Sequence, residues 1–178
     1  MSFSFLVGGA RSGKSTLAVD AARRADARGE SVSVVVTAEA LDDEMTARID
    51  RHIAERPAHW KVFEAPRSLK TIVSELPVGF VVVDCVSFWV ANLVMDGVDD
   101  IEEQASEIAL VLAAREGAGV VVSNEVGLGL VPENELGRRF RDVLGRVNVL
   151  FAEAGDRSYL VVAGRLLNLG PAGDFETG

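Results

Sequence analysis

The sequence has little of what would cross-link a chain or anchor it in a membrane. Its 178 residues include one cysteine, Cys85, so no internal disulfide can form. No apolar run approaches the ~20 residues that a membrane-spanning helix needs, and the start, MSFSFLVGG, lacks the basic and long apolar parts of a signal peptide. We therefore expect a cytoplasmic protein without a membrane span.

Basic side chains are also scarce. The chain has 18 Lys and Arg residues against 27 Asp and Glu residues, a formal net charge of −9. Such a surface repels phosphate backbones at long range, so we expect no nucleic-acid partner. Hydrophobic residues at 48% and charged residues at 25% are typical of a folded globular protein. The length predicts one domain, which we place at residues 1–169, followed by a tail at 170–178 that is flexible or packs on a neighbour.

Short β-branched runs alternate with stretches of helical period, a pattern typical of an α/β fold with a mainly parallel sheet. Six runs predict strands, at residues 3–7, 31–37, 60–63, 80–84, 119–123 and 158–163. Helical spacing recurs at residues 17–25, 45–53 and 101–112. Asn134 is expected to cap a last helix, whose apolar face would carry Leu136, Phe140, Val143, Val147, Leu150 and Phe151.

The first predicted strand runs directly into a phosphate-binding pattern, G-x-x-x-x-G-K-[ST]. Its residues are Gly8, Gly9, Ala10, Arg11, Ser12, Gly13, Lys14 and Ser15. In such a P-loop, backbone N–H groups wrap the phosphates, the lysine reaches the β- and γ-phosphates and the hydroxyl ligates Mg²⁺. We expect Lys14 to be a surface loop residue that acts in catalysis and Ser15 to be a metal ligand; a glycine-rich turn without function is the alternative.

A second metal ligand is expected at the end of another apolar strand. The run Phe80-Val81-Val82-Val83-Asp84 ends on an acid, and P-loop enzymes use such a carboxylate on a neighbouring strand. Asp84 is that candidate. The alternative is an acid that merely caps a helix beginning near Val86.

Imidazole chemistry can fall only on His52 or His59, the two histidines of the chain. Arg48, His52 and Arg56 are spaced four residues apart, so on a helix they would form one basic stripe beside an apolar one. That stripe could face a nucleotide or be an ordinary solvated surface. His59, between Pro57 and a predicted strand, is interpreted as structural packing.

The segment SNEVGLGLVPEN, residues 123–134, leaves a buried strand and ends at the expected helix cap. Loops after the carboxyl ends of parallel strands line the ligand crevice, so this loop, the P-loop, Thr37 to Glu39 and Asp84 should converge. A purely structural connection is the alternative.

These segments together resemble one family. GGARSGKS at Gly8, LDDEMTARIDRH ending at His52, RPAHW at Arg56, DC at Asp84 and the 123–134 loop are similar to the bifunctional adenosylcobinamide kinase/adenosylcobinamide-phosphate guanylyltransferase of cobalamin biosynthesis. The resemblance covers roughly residues 3–163. The P-loop is shared with many enzymes, whereas the 123–134 loop and the R-x-x-x-H-x-x-x-RP segment are specific to this family.

The resemblance implies an activity and a set of residues. Such an enzyme phosphorylates adenosylcobinamide with ATP or GTP, then transfers GMP from GTP through a guanylyl-histidine, which here would be His52, and yields adenosylcobinamide-GDP. A homotrimer with sites near subunit interfaces is also implied. Besides the P-loop, the implied nucleotide contacts are Thr37, Ala38, Glu39, Ile53, Ala54, Glu55, Arg56, Glu64 and Asp84.

The residue types suit this chemistry. A neutral imidazole, present above a pKa of ~6.5, can attack the α-phosphorus of GTP while Lys14 and Mg²⁺ hold the leaving pyrophosphate. The phosphate on cobinamide is then the second nucleophile, and Arg48 or Arg56 could offset its negative charge. Two other functions remain open: a plain small-molecule kinase, which needs no histidine nucleophile, and a GTP-binding regulator, which consumes no corrinoid.

Overall fold

A computed structural model describes residues 3–39 and 56–171 of the chain, and it builds them around one seven-stranded sheet. The strands are β1 (Phe3–Gly8), β2 (Val32–Val36), β3 (Lys61–Glu64), β4 (Phe80–Asp84), β5 (Gly119–Asn124), β6 (Arg157–Val162) and β7 (Arg165–Leu169). The helices are α1 (Lys14–Asp26), α2 (Leu69–Glu75), α3 (Val86–Met95), α4 (Ile101–Ala114) and α5 (Glu135–Ala154). The strand order is β3-β2-β4-β5-β1-β6-β7, with all neighbours parallel except the antiparallel pair β6–β7. The α/β class and the mainly parallel sheet are confirmed.

The six predicted strands are confirmed to within one or two residues, but the count was wrong because β7 was missed. All five side chains of β7 are exposed, so the strand carries no pattern of apolar burial. Its local signal is the turn before it. Ala163 and Gly164 have φ values of 50° and 71°, and two successive left-handed residues form the kind of turn that joins antiparallel strands.

Both faces of the sheet are covered, which explains the apolar strands. Alternate residues of β4 go to opposite sides: Val81 and Val83 join one core cluster, and Phe80 and Val82 join the other. Helix α1 contributes to the second cluster, while α2, α3, α4 and α5 contribute to the first. Within the described ranges, every helix is too short or too polar to cross a bilayer. The result is a three-layer arrangement, as strands buried on both faces require.

Helix α5 begins as predicted, but its apolar face is shorter than predicted. The side chain of Asn134 accepts a hydrogen bond from the N–H of Gly137 at 2.6 Å, which confirms the cap. Leu136, however, is 50% exposed, and the first buried residue of the helix is Val143. Periodicity identifies the stripe that can face a core but not how far the core extends along it.

Arg67 connects the segments that follow β2 and β3. Its Nη1 donates to Glu39 at 2.5 Å, and its Nε and Nη2 donate to the two oxygens of Asp96 at 2.5 and 3.3 Å. These hydrogen bonds raise the pKa of Arg67 and lower the pKa of Asp96. The main chain is tied as well, because Asn92 donates to the carbonyls of Thr37 and Pro66 at 3.0 and 2.9 Å. The segment after β2 is therefore held against α3.

The first prediction concerns the core. Phe151 is fully buried on α5 and packs against Phe3 and Phe5, with ring centroids 6.2 and 6.1 Å away. Phe151→Ala should lower the free energy of unfolding by about 3–5 kcal/mol because it leaves a large cavity. Urea denaturation measures this. Val149→Ala, on the same helix and 53% exposed, should change the unfolding free energy by no more than about 0.5 kcal/mol, and an equal loss in both variants would contradict the assigned core.

The second prediction concerns Asp96. Because Arg67 lowers its pKa in the folded state, the ion pair stabilises the fold above the unfolded pKa of ~3.9 and less as the pH falls through the folded value. In Arg67→Ala the pKa of Asp96 should rise toward its ordinary range, as read by NMR titration of the carboxyl group. Arg146→Ala removes another exposed pair, with Glu102, and should leave the Asp96 titration unchanged. An unshifted Asp96 in Arg67→Ala would contradict the assigned bond.

Candidate functional site

Residues 8–15 form a tightly curled loop that joins β1 to α1. Its backbone takes left-handed conformations that favour particular residues. Gly13 precedes the helix with φ 101°, a left-handed conformation that favours glycine, and Arg11 has φ 55°. The turn between β6 and β7 supports the loop from outside: the N–H of Gly164 donates to the carbonyl of Ser12 at 2.8 Å. A Cβ on Gly13 would lie 3.2 Å from Gly164 Cα, so the two segments are packed backbone to backbone.

Lys14 is buried, contrary to the expectation of a surface loop residue. It is the first residue of α1 and is 6% exposed. Its Nζ donates to the carbonyls of Gly8 and Gly9 at 2.8 and 2.7 Å and to the hydroxyl of Ser12 at 3.3 Å. The reason is the curl of the loop, which turns these acceptors inward around the ammonium group. The lysine charge is thus held at the centre of the loop.

Ser15 and Asp84 meet across the gap between α1 and β4. The Ser15 hydroxyl donates to Asp84 Oδ1 at 3.3 Å. Asp84 also faces Arg56, whose Nη2 lies 3.5 Å from Asp84 Oδ2, and both side chains are largely buried. The helix-cap alternative is not supported, because α3 is capped at Cys85 without any side-chain hydrogen bond. A hydroxyl and a carboxylate side by side are hard oxygen donors that fit a magnesium ion.

Arg56 supplies the positive charge beside Asp84. Its side chain is only 5% exposed. Arg48, the other arginine predicted to offset the charge of the phosphate nucleophile, lies outside the described residues. A carboxylate of this depth is costly unless it is paired or binds a cation. The guanidinium group of Arg56 therefore offsets the cost of burying the Asp84 carboxylate.

The other expected nucleotide contacts are distributed along the same edge. Thr37 is fully buried: its N–H donates to the carbonyl of Asp84 at 3.3 Å, and its hydroxyl contacts the N–H and carbonyl of Cys85. Ala38 follows it, and Glu39 binds Arg67. Glu64 is exposed at the end of the edge strand β3, two strands from Asp84. The structure brings Thr37 and Arg56 to Asp84, and leaves Glu39 and Glu64 farther along the edge.

The remaining expected positions, His52, Ile53, Ala54 and Glu55, lie outside the described residues. The other histidine is described and lies far from the P-loop. His59 Nε2 contacts the carboxylate of Asp26 at 2.9 Å, which lowers the pKa of Asp26. Asp26 ends α1 and Lys14 begins it, so about 18 Å of helix separate them. His59 is 66% exposed at its side chain, so its packing is a surface contact with Asp26, whereas the neighbouring Trp60 is buried.

Cys85 follows Asp84 but offers no reactive thiol. Burial, followed by the charge of Asp84, raises the pKa of the Cys85 thiol. Its sulfur lies 2.7 Å from the hydroxyl of Ser87. A thiol kept protonated in this way is neither a nucleophile nor a metal ligand.

The 123–134 loop reaches the P-loop through one of its first residues. The N–H of Glu125 donates to the carbonyl of Gly8 at 3.0 Å, whereas Leu128 and Leu130 are 85% and 96% exposed. Sequence reasoning did not single out two residues: Asn124, which it placed within this loop without a role, and Arg67, which lies elsewhere in the chain. Asn124 donates to Ser87 at 2.7 Å beside Asp84, and Arg67 holds Glu39. A polar residue at the tip of a buried strand was the available signal for Asn124; the sequence offered none for Arg67.

Comparison with solved structures agrees with the fold. The flagellar accessory protein FlaH of Methanocaldococcus jannaschii superposes with a TM-score of 0.51 over 94% of this chain and 75% of its own. The two are 15% identical, so the likeness concerns the fold alone.

Sequence comparison identifies relatives over most of the chain. The bifunctional adenosylcobalamin biosynthesis protein CobU of Salmonella typhimurium is 42% identical, over 89% of this chain and 94% of the relative. The corresponding protein CobP of Pseudomonas aeruginosa is 41% identical, over 89% and 92%. The family model described as cobinamide kinase / cobinamide phosphate guanyltransferase matches residues 4–169. The chain therefore belongs to the family of bifunctional cobinamide kinases and cobinamide phosphate guanyltransferases.

Proposed function

We propose that this protein phosphorylates the hydroxyl of adenosylcobinamide with ATP or GTP and then transfers GMP from GTP to the resulting phosphate, giving adenosylcobinamide-GDP. The second step would pass through a guanylyl group on His52. Support for the activity comes from family membership over residues 4–169. The single observation that carries the mechanism is the meeting of Ser15 and Asp84, 3.3 Å apart, beside the buried Lys14.

In the kinase step each P-loop group has a defined task. Backbone N–H groups at the start of α1 bind phosphate oxygens, with the positive end of the helix dipole behind them. Lys14, fixed inside the loop by two carbonyls, offers its charge to the β- and γ-phosphates. Pre-positioned charge of this kind stabilises the transition state without reorganisation during the reaction.

Magnesium is part of the proposal. Ser15 and Asp84 would hold the ion, and the pair suits Mg²⁺, which commonly binds one or two carboxylates together with substrate phosphates. When bound, the ion supplies positive charge that polarises the phosphates. Arg56 then balances what remains of the charge on Asp84.

The guanylyl step needs a nucleophile from the protein, and the choice of His52 has two supports. One is the family resemblance of the surrounding sequence. The other is the position of His59, which binds Asp26 at the end of α1 opposite to the P-loop. We also propose the homotrimer and the cytoplasmic location that the resemblance and the sequence suggest.

A third prediction tests the kinase step. Lys14→Ala should lower the rate of adenosylcobinamide phosphorylation by about 100-fold or more, because it removes the charge at the centre of the loop. The assay follows transfer of a γ-label to adenosylcobinamide. Because Lys14 is buried, circular dichroism and urea denaturation must first establish that the variant folds. Lys70→Ala, an exposed lysine paired with Glu107, serves as the control with unchanged turnover. Wild-type turnover in folded Lys14→Ala would contradict the proposal.

A fourth prediction tests the covalent intermediate. With Mg²⁺, α-labelled GTP should give a protein adduct that is labile in acid and stable in alkali, as a phosphoramidate is, whereas γ-labelled GTP should give none. His52→Ala should lose the adduct and the GMP transfer but keep measurable kinase activity, which depends on Lys14, Ser15 and Asp84.

His59→Ala is the matched control for this adduct. It should keep the label, because His59 lies against Asp26. Loss of the label in His59→Ala, or its retention in His52→Ala, would show that the nucleophile is assigned to the wrong histidine. Loss of both activities in folded His52→Ala would mean that His52 serves nucleotide binding in general.

A further inference from the structure

Strand β5 lies between the strand that leads into the P-loop and the strand that ends on Asp84. Its last residue, Asn124, is opposite Gly8 of β1, and Val122, two residues earlier, is opposite Asp84 of β4. Carboxyl ends of parallel strands share one edge of a sheet. The side chain at Asn124 therefore stands at that edge, between the phosphate-binding loop and the carboxylate.

Hydrogen bonds tie Asn124 and its neighbours to both sides. On the P-loop side, the N–H of the next residue, Glu125, donates to the carbonyl of Gly8 at 3.0 Å, and the same carbonyl accepts from Lys14 Nζ at 2.8 Å. On the other side, Asn124 Nδ2 donates to Ser87 Oγ at 2.7 Å, three residues after Asp84. The carboxamide is thus fixed in place before any ligand arrives.

The carboxamide can make more hydrogen bonds than this one. It has two N–H donors and an acceptor oxygen, and besides Ser87 its described polar neighbour is the Cys85 sulfur at 4.0 Å. Asn124 is only partly buried, so it remains open to the edge of the sheet. A neutral donor suits phosphate oxygens there, because an acid at the same point would repel them.

We propose that Asn124 is a further catalytic residue of the kinase step, whose carboxamide donates a hydrogen bond to an oxygen of the γ-phosphate. This inference rests on the kinase activity proposed above. In that step the hydroxyl oxygen of the acceptor forms a bond to the γ-phosphorus. The bond from that phosphorus to the β–γ bridging oxygen breaks, the nucleoside diphosphate leaves with the electron pair, and the hydroxyl proton passes to solvent. A fixed N–H donor stabilises the charge on the γ-phosphate oxygens during this transfer.

The test combines turnover with binding of nucleotides alone. Asn124→Ala should lower the kcat of phosphorylation by roughly 100-fold, the usual effect of removing one such donor. Calorimetry with a triphosphate and a diphosphate of the same base isolates the γ-phosphate. The preference of the wild type for the triphosphate should shrink in Asn124→Ala, while diphosphate affinity stays nearly unchanged.

Asn124→Asp separates a catalytic role from a structural one. The aspartate has the same shape and can still accept a hydrogen bond from Ser87, so the contact with α3 is kept. It has no N–H to donate, and its charge repels the γ-phosphate; we expect a larger loss of turnover and of the preference for the triphosphate than in Asn124→Ala. Asn168→Asp, on exposed β7, adds the same charge elsewhere and should leave kcat unchanged.

Ser87→Ala removes the hydrogen bond that holds Asn124 but leaves the carboxamide, so kcat should fall less than in Asn124→Ala. Wild-type turnover and triphosphate preference in Asn124→Asp would overturn the proposal. Equal decreases of kcat in Ser87→Ala and Asn124→Ala, with an unchanged preference for the triphosphate, would also overturn it. If the wild type does not phosphorylate adenosylcobinamide, yet Asn124→Asp loses its preference for the triphosphate, the proposed function fails and the γ-phosphate contact stands.

Discussion

The site depends above all on the pairing of β5 between β1 and β4. Strand β1 leads into the P-loop and β4 ends on Asp84. Because one strand lies between them, their spacing sets how close Ser15, at the start of α1, comes to the Asp84 carboxylate. The backbone carbonyl of Gly8 joins the parts, because it accepts from both Lys14 and Glu125. The parallel register of the three strands thus fixes this polar geometry.

Around that centre, charge is arranged in compensating pairs. Asp84 has Arg56 beside it, and Glu39 and Asp96 share Arg67. The first pair is largely buried, so the charge of each partner lowers the free-energy cost of burying the other. The second is exposed and screened by solvent, so its effect is on the direction of the chain after β2 more than on the stability of the fold.

The sequence predicted the parts of this molecule that follow a local rule. The P-loop pattern, the six apolar strands and the Asn134 cap each depend on neighbouring residues, and each was located correctly. Two elements were missed for different reasons. Strand β7 pairs with β6 across a short turn but buries none of its side chains, so it shows no apolar pattern. Arg67 meets partners 28 and 29 residues away, which no local rule predicts. Burial was also misjudged in the first turns of two helices: Lys14, which begins α1, is enclosed by its own loop, and Leu136, the second residue of α5, lies beyond the core.

The enclosure of Lys14 also matters for the chemical handling of this protein. The chain contains three lysines, Lys14, Lys61 and Lys70, and the latter two are exposed. Reagents that acylate primary amines, such as activated esters of dyes, react with accessible side chains. The amino group of Lys14 is buried inside a folded loop and held by two carbonyls, so these reagents do not reach it. Coupling through amines will therefore attach the protein by Lys61, Lys70 or its amino terminus and leave the nucleotide loop chemically intact.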